Sequence, residues 1–423
     1  MFTILHVSDV HFGQTDERGE QSPITTSLVK AARDQDWTPD LCVFSGDLTF
    51  KAAESEFRTG TEWLTKLVER SKSRLFVVPG NHDVNRANPS LVLRQAYESE
   101  QVYTQRRDDL RVQLGHLEAF QQWHEGSARS IFGDRLLSEW NDLLGCCTRI
   151  GTNDPPIRLV GLNTALLSCA NDDFQKLAQD IPTINRLLGS DIDEHECVIA
   201  VSHHPLSWLV EWNRKEVGQL LGQERGAHLY LHGHQHEQSA TVFGSALGQS
   251  LATFECGAAY QGSRWPQNFA LYQIDFELRE IATRVLSFSP NSGEWVFDGG
   301  RSRKVLARIP QPRARKLSPP DGVGPSGAQL AAQPQRIDTG GGLPDDTGAF
   351  LEPYAYRAVA RGESARRLVE SYIDDRFFDG SEYSRHGRVK RRDRIVNKVL
   401  RRQREGSPLS RLRTSPMFVV FAM

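Results

Sequence analysis

Five short segments carry residues able to hold a cation, each just after an apolar run. They are Asp9-Val10-His11, Gly46-Asp47, Gly80-Asn81-His82-Asp83, His203-His204-Pro205 and Gly233-His234-Gln235-His236. Mixed Asp, Asn and His ligands suit borderline first-row metals such as Mn, Fe or Zn, and the lack of cysteine argues against a closed structural zinc site. Two residues of one strand end, separated by one, point the same way. Asp9 with His11, and His234 with His236, can therefore each address one small volume. The stretch Val43-Phe44-Ser45-Gly46-Asp47 reads as a buried strand running into a tight turn with a carboxylate at its tip. Gly46 lets the backbone pass close to whatever Asp47 holds. With two oxygens, the Asp47 carboxylate can bridge two cations. Each segment alone is weak, since a lone D-x-H or a strand-end histidine is common. Five together predict a metal centre.

The elements that must bring these segments together follow from hydrophobic periodicity. Strands are expected at 2–8, 41–45, 75–78, 158–162, 197–201 and 227–231. Amphipathic helices are expected at 22–35, 52–71 and 174–189. This alternation indicates an α/β architecture, in which strand tips gather at one sheet edge and form the site. Residues 240–288 read as antiparallel strands with turns at Gly244, Gly248, Gly257 and Gly262. Between about 90 and 145 the chain is polar and helical, with a stripe of Leu110, Leu114, Leu117, Phe120 and Trp123. This insertion reads either as a cap or as helices packed on the sheet.

The ordered set D-x-H, G-D, G-N-H-D, H-H-P, G-H-x-H resembles the calcineurin-like metallophosphoesterases over roughly residues 1–290. The resemblance implies a four-layer α/β/β/α sandwich of two mixed β-sheets. It implies two divalent metal ions, one held by Asp9, His11, Asp47 and His236, the other by Asp47, Asn81, His203 and His234. His204 is then packing rather than a ligand. His82 would contact the scissile phosphate and protonate the leaving oxygen, with Asp83 accepting its ring N–H. Two cations of this kind neutralise the ester oxygens and acidify a shared water, whose hydroxide attacks phosphorus in line. The run Gly46-Asp47-Leu48-Thr49-Phe50 lacks the protein-phosphatase pattern and looks more like bacterial cyclic-nucleotide phosphodiesterases and the exonuclease-like branch. Phe50 departs from the acidic residue usual there. The expected substrate is therefore a phosphoester of a nucleotide or nucleic acid. Arg86 can reach a substrate phosphate, and Trp208, Trp212 and Trp265 lie near motif loops and can stack on a base or pack.

The composition bounds the rest. The 423 residues carry a net charge of −2 and six cysteines, none in a C-x-x-C pair, which suits free thiols in a reducing cytoplasm. No signal peptide and no run long enough for a membrane span is expected. The expected domains are a phosphoesterase domain over 1–299, a Pro/Gly-rich disordered linker over 300–353 and a basic, mainly helical segment over 354–423. Between Arg385 and Arg413 twelve Lys or Arg face only Asp393 and Glu405. That segment reads as a nucleic-acid arm or as a docking module for a protein partner in a multi-component bacterial system. The alternative for the whole chain is a phosphoesterase-fold scaffold acting through this tail.

Overall fold

Strand β1 (Phe2–Val7) forms because five of its six side chains are buried, which a strand covered on both faces requires. In the computed structural model, residues 1–14, 19, 21–34, 38–86, 98–111, 114–151, 154–168, 173–189, 192–236, 239–244, 250–262, 266–297, 302–306 and 308–312 are described. Strands β2 (Leu41–Phe44) and β3 (Arg74–Val77) extend β1 in parallel. On its other side β1 pairs antiparallel with β10 (Asn268–Asp275), followed by β11 (Glu280–Ser289) and β12 (Glu294–Phe297). A thirteenth strand, β13 (Ser302–Val305), also pairs with β11. The second sheet runs β4 (Gly145–Ile150), β5 (Ile157–Leu162), β6 (Cys197–Val201), β7 (Leu229–His232), β9 (Ser250–Glu255) and β8 (Ser239–Gly244). Strands β5, β6, β7 and β9 are parallel, while β4 and β8 run antiparallel at the two edges.

These two mixed sheets pack face to face, as expected. The Phe254 ring of β9 lies 5.0 Å from the Tyr272 ring of β10, and a Cβ on Gly161 of β5 would stand 3.2 Å from Phe76 of β3. Helices α1 (Gln21–Asp34) and α2 (Glu54–Ser71) cover the first sheet. Helix α2 buries Phe57, Trp63, Leu64, Leu67 and Val68 at helical spacing, and the Trp63 indole donates to the Thr25 carbonyl (2.9 Å). The insertion supplies α3 (Glu100–Arg111), α4 (Glu118–Trp123) and α5 (Arg129–Phe132). Trp123 stacks on Phe57 and donates to the Thr61 hydroxyl (2.7 Å), so α4 packs onto α2. Arg107 of α3 forks onto Asp180 with two 3.1 Å bonds. Asp180 also caps α6 (Ile181–Leu187), which flanks the second sheet with α7 (Glu211–Gly222).

Several boundaries differ from the sequence reading. Residues 145–150, given no strand in the sequence reading, form β4 because they pair with β5. The helix expected over 174–189 is confined to α6, where Asp180 accepts from the Thr183 N–H (2.9 Å) and Pro182 occupies the first turn. Residues before it instead run beside 206–213, with Leu177 bridged to Leu209 and Gln179 N–H donating to Asn213. The run over 240–288 is not wholly antiparallel, since β9 lies parallel to β7. Pairing continues past residue 299 through β13, and Leu306 and Ile309 are buried. The first compact unit is Met1–Leu317. Apart from 302–306 and 308–312, the expected linker and basic segment lie outside the described residues.

Gly161 offers a test of the packing between sheets. A Cβ there would lie 2.6 Å from Cys146 Sγ and 3.1 Å from Trp140. Gly161→Val is expected to destabilise the protein by about 1–3 kcal/mol, read as a lowered denaturation midpoint at unchanged slope.

Candidate metal centre

The turns after β1 and β2 are laced together by their backbones. Asp9 N–H donates to the Gly46 carbonyl (3.0 Å), Val10 and His11 N–H to the Asp47 carbonyl (2.9 and 3.1 Å), and Phe12 N–H to Leu48 (3.0 Å). This lacing puts Asp9, His11 and Asp47 in left-handed conformations, with φ of 55°, 53° and 59°; His234 and His236 follow at 78° and 59°. Non-glycine residues adopt such angles only where surrounding structure enforces them. Gly46, at φ 99°, is required for a second reason: a Cβ would stand 2.6 Å from His203 Nδ1.

The side chains converge on two adjoining groups. In one, His236 Nε2 lies 3.0 Å and His11 Nε2 3.7 Å from Asp9 Oδ1, and His11 Nε2 is 3.9 Å from Asp47 Oδ2. In the other, His203 Nε2 lies 2.9 Å from Asn81 Oδ1, 3.3 Å from Asp47 Oδ2 and 3.1 Å from His234 Nδ1. Asp47 belongs to both. All seven residues expected as ligands are therefore brought together. The sequence reading placed His204 outside the ligand set, but it too lies close, its ring 4.6 Å from His203 and 4.3 Å from His234. Its Nδ1 is held 3.0 Å from the Thr164 hydroxyl, and its Nε2 is buried with no hydrogen-bond partner.

The donor set fits divalent cations. His203 Nδ1 lies 2.8 Å from the Ser45 carbonyl oxygen, which can only accept, so Nδ1 donates. The Nε2 lone pair then faces the Asp47 and Asn81 oxygens, an arrangement of acceptors that needs a cation between them. Burial alone would lower the His203 pKa, but the Asp47 charge and hydrogen bond push it up to about 9. Without a metal, a proton on His203 fills that need. Asp9 and Asp47 are both shielded from water. Burial would raise their carboxyls, yet the neighbouring imidazoles hold both below the usual carboxylate range, His236 acting on Asp9 and His203 on Asp47. His11 and His234 are lowered, chiefly by burial, which keeps their nitrogens free for a metal.

His82 and Asp83 are arranged differently from the expectation. Asp83 does not contact the His82 ring. Its Oδ2 accepts from the N–H of Asp47 (2.8 Å) and Gly80 (3.0 Å), and its Oδ1 from the N–H and hydroxyl of Thr49 (2.9 and 3.0 Å). Burial and the Asp47 charge push its carboxyl up to about 6 against those hydrogen bonds. The His82 ring donates from Nδ1 to the Phe50 carbonyl (2.8 Å) and stacks on the Phe50 ring at 5.2 Å. Its backbone N–H donates to Asp47 Oδ1 (2.8 Å). Arg86 Nη2 lies 3.0 and 3.4 Å from the two His82 ring nitrogens, which puts a cation at the edge of the site. The sequence reading did not give Phe50 a role, because its contribution is a backbone carbonyl. Glu56 was also missed. It accepts from the N–H groups of Phe50, Lys51 and Ala53 (3.2, 2.8 and 3.2 Å), and its place in the first turn of α2 was the available signal. Of the three tryptophans, Trp208 lies against the centre, with its ring 4.0 Å from His234. Trp212 packs on Tyr103, and Trp265 lies outside the described residues.

The roles of Asp83 and His82 separate on mutation of the metal-free protein. Asp83→Ala leaves three backbone donors without their acceptor, at about 1–3 kcal/mol for each buried unsatisfied group, while the Thr49 hydroxyl keeps the His82 carbonyl (2.9 Å). A loss of roughly 3 kcal/mol or more in denaturant unfolding is expected. His82→Ala leaves the half-buried turn's backbone bonds in place and should change stability by less than about 1 kcal/mol.

Comparison with known proteins adds the following. The family model described as calcineurin-like phosphoesterase matches residues 2–238. No curated protein matches the chain. Among solved structures, purple acid phosphatase PPD1 from yellow lupin (Lupinus luteus) seeds is 11% identical, over 70% of this chain and 52% of that one, with a TM-score of 0.42. The chain thus spans about half the length of that protein. A predicted phosphoesterase from Streptococcus pneumoniae TIGR4 is 13% identical over 72% of this chain and 97% of its own, with a TM-score of 0.30. Vps29 from Chaetomium thermophilum is 11% identical, with 72% and 97% covered and a TM-score of 0.30.

Proposed function

We propose that this chain, which belongs to the calcineurin-like phosphoesterase family, hydrolyses phosphodiesters of nucleotides or nucleic acid with two divalent metal ions. The observation that carries this reading is the shared position of Asp47, within 3.3 Å of His203 and 3.9 Å of His11. One carboxylate between two sets of nitrogen and oxygen donors is what a pair of cations needs. Asp9, His11, Asp47 and His236 would hold one ion, and Asp47, Asn81, His203 and His234 the other. Ions so held supply neutralisation of the ester oxygens and a water acidified toward neutral pH.

The chain's own residues do the rest. The laced turns fix Asp9 and Asp47 before substrate arrives, so little reorganisation is needed at the moment of reaction. The Phe50 carbonyl accepts from His82 Nδ1 (2.8 Å), so the imidazolium form of the ring would give its Nε2 proton to the departing oxygen and keep the one on Nδ1. Arg86, beside that ring, offers a guanidinium to a non-bridging phosphate oxygen. The Gly46-Asp47-Leu48-Thr49 sequence supports a phosphodiester over a phosphoprotein as substrate. Among the described residues no helix is long and apolar enough to cross a membrane, and the buried Cys42, Cys146, Cys197 and Cys256 are free thiols. A cytoplasmic location belongs to this proposal, and so do manganese, iron or zinc as the metals and a protein partner for residues 354–423.

Turnover of bis(p-nitrophenyl) phosphate in Mn²⁺ tests the reading. The wild-type protein is expected to hydrolyse it, Asp47→Ala to lose all measurable activity, and His82→Ala to lose roughly 10²–10⁴-fold in kcat while keeping its metal content by elemental analysis. Full activity in Asp47→Ala would refute the reading.

A further inference from the structure

We propose that Phe174 and Trp208 form the platform on which a nucleobase of the substrate stacks. The proposal rests on the phosphoesterase reading above and names the part of the substrate that the site recognises. The Trp208 ring stands edge-on to the His234 ring at 4.0 Å and 84°. The Phe174 ring stands edge-on to Trp208 at 5.5 Å and 86°. Aromatic surface therefore runs without a break from a candidate metal ligand outward to solvent.

Three features favour ligand binding over packing. Phe174 is 50% exposed. The other large aromatic side chain so exposed among the described residues, Phe297, lies under the Arg284 guanidinium on strand β12. Second, the two chain segments are tied together. Trp208 ends a 3-10 turn that follows His203-His204-Pro205, with its N–H bonded to the Pro205 carbonyl (3.0 Å). The Leu177 N–H donates to the Trp208 carbonyl and the Val210 N–H to the Leu177 carbonyl (3.3 and 2.8 Å). The strip just after Phe174 is thus paired with the strip that carries Trp208, which reduces the ordering needed when a ligand arrives. Third, the chemistry is divided. Arg86 and His82 border the centre beside His11, the His82 ring lying 4.7 Å from His11, whereas Trp208 borders it beside His234. A ligand that satisfies both carries an anionic phosphate and a flat π-faced ring, which is a nucleotide.

Calorimetric binding of adenosine monophosphate and of ribose 5-phosphate to the Mn²⁺-loaded protein tests the platform. Base stacking on aromatic side chains is worth enough that the adenine should tighten binding about tenfold over the sugar phosphate. Phe174→Ala is expected to erase that advantage, and Phe174→Tyr, which restores a ring, to keep it. Equal affinity of the two ligands for wild-type protein, or an equal weakening of both by Phe174→Ala, would overturn the platform and leave the phosphoesterase reading standing. Failure of both ligands to bind the loaded protein would overturn both.

Discussion

Two carboxylates, Asp9 and Asp47, lie buried among imidazoles, and the rest of the site is arranged around the need to keep them charged there. A carboxylate removed from water without a partner costs several kcal/mol or neutralises itself. Here neither carboxyl is pushed up toward protonation, because His236 and His203 outweigh burial. The negative charge is maintained for positive charge to meet. That single constraint explains the histidine density at one sheet edge and the tautomer fixed on His203 by the Ser45 carbonyl. It also explains the absence of bulk around Gly46.

Holding those charges in place requires backbone conformations that L-residues avoid. Asp9, His11, Asp47, His234 and His236 all have positive φ, at a cost of about 1–3 kcal/mol for each strained residue. The compensation is local and visible. Four hydrogen bonds lace the β1 and β2 turns, Asp83 gathers three backbone N–H groups around Asp47, and Glu56 fixes the loop that follows. The sheets supply the frame. Parallel strands β1, β2 and β3 end together on one side, β6 and β7 on the other, and their packed faces bring His203 and His234 to Asp47. Helical insertion and flanking helices stabilise this frame through Trp123 on α2 and Arg107 on Asp180, contacts that lie outside the ligand set.

Much of this was legible in residue types. Strands β2 and β6 are unbroken apolar runs and β1 and β3 are largely apolar, and the five motif segments sit at strand ends, so fold class and convergence could both be anticipated. Strand β4 was not, because Gly145-Cys146-Cys147-Thr148-Arg149-Ile150 has no strand signal without its β5 partner. The family resemblance implied that Asp83 accepts the His82 ring N–H. The turn over 80–83 instead aims its oxygens at backbone donors, and turn geometry is not written in side-chain identity. For the same reason the acceptor for His82, a main-chain carbonyl of Phe50, has no signature. Likewise Phe174 falls at the start of the helix expected over 174–189, whereas the helix begins later, at the Asp180 cap, and Phe174 is exposed.

We propose that Asp47 is shared between two cations. Anomalous diffraction from Mn²⁺-soaked crystals tests it most directly. Two manganese peaks are predicted, one among Asp9, His11, Asp47 and His236, the other among Asp47, Asn81, His203 and His234. A single peak, peaks elsewhere, or none at saturating metal would contradict it.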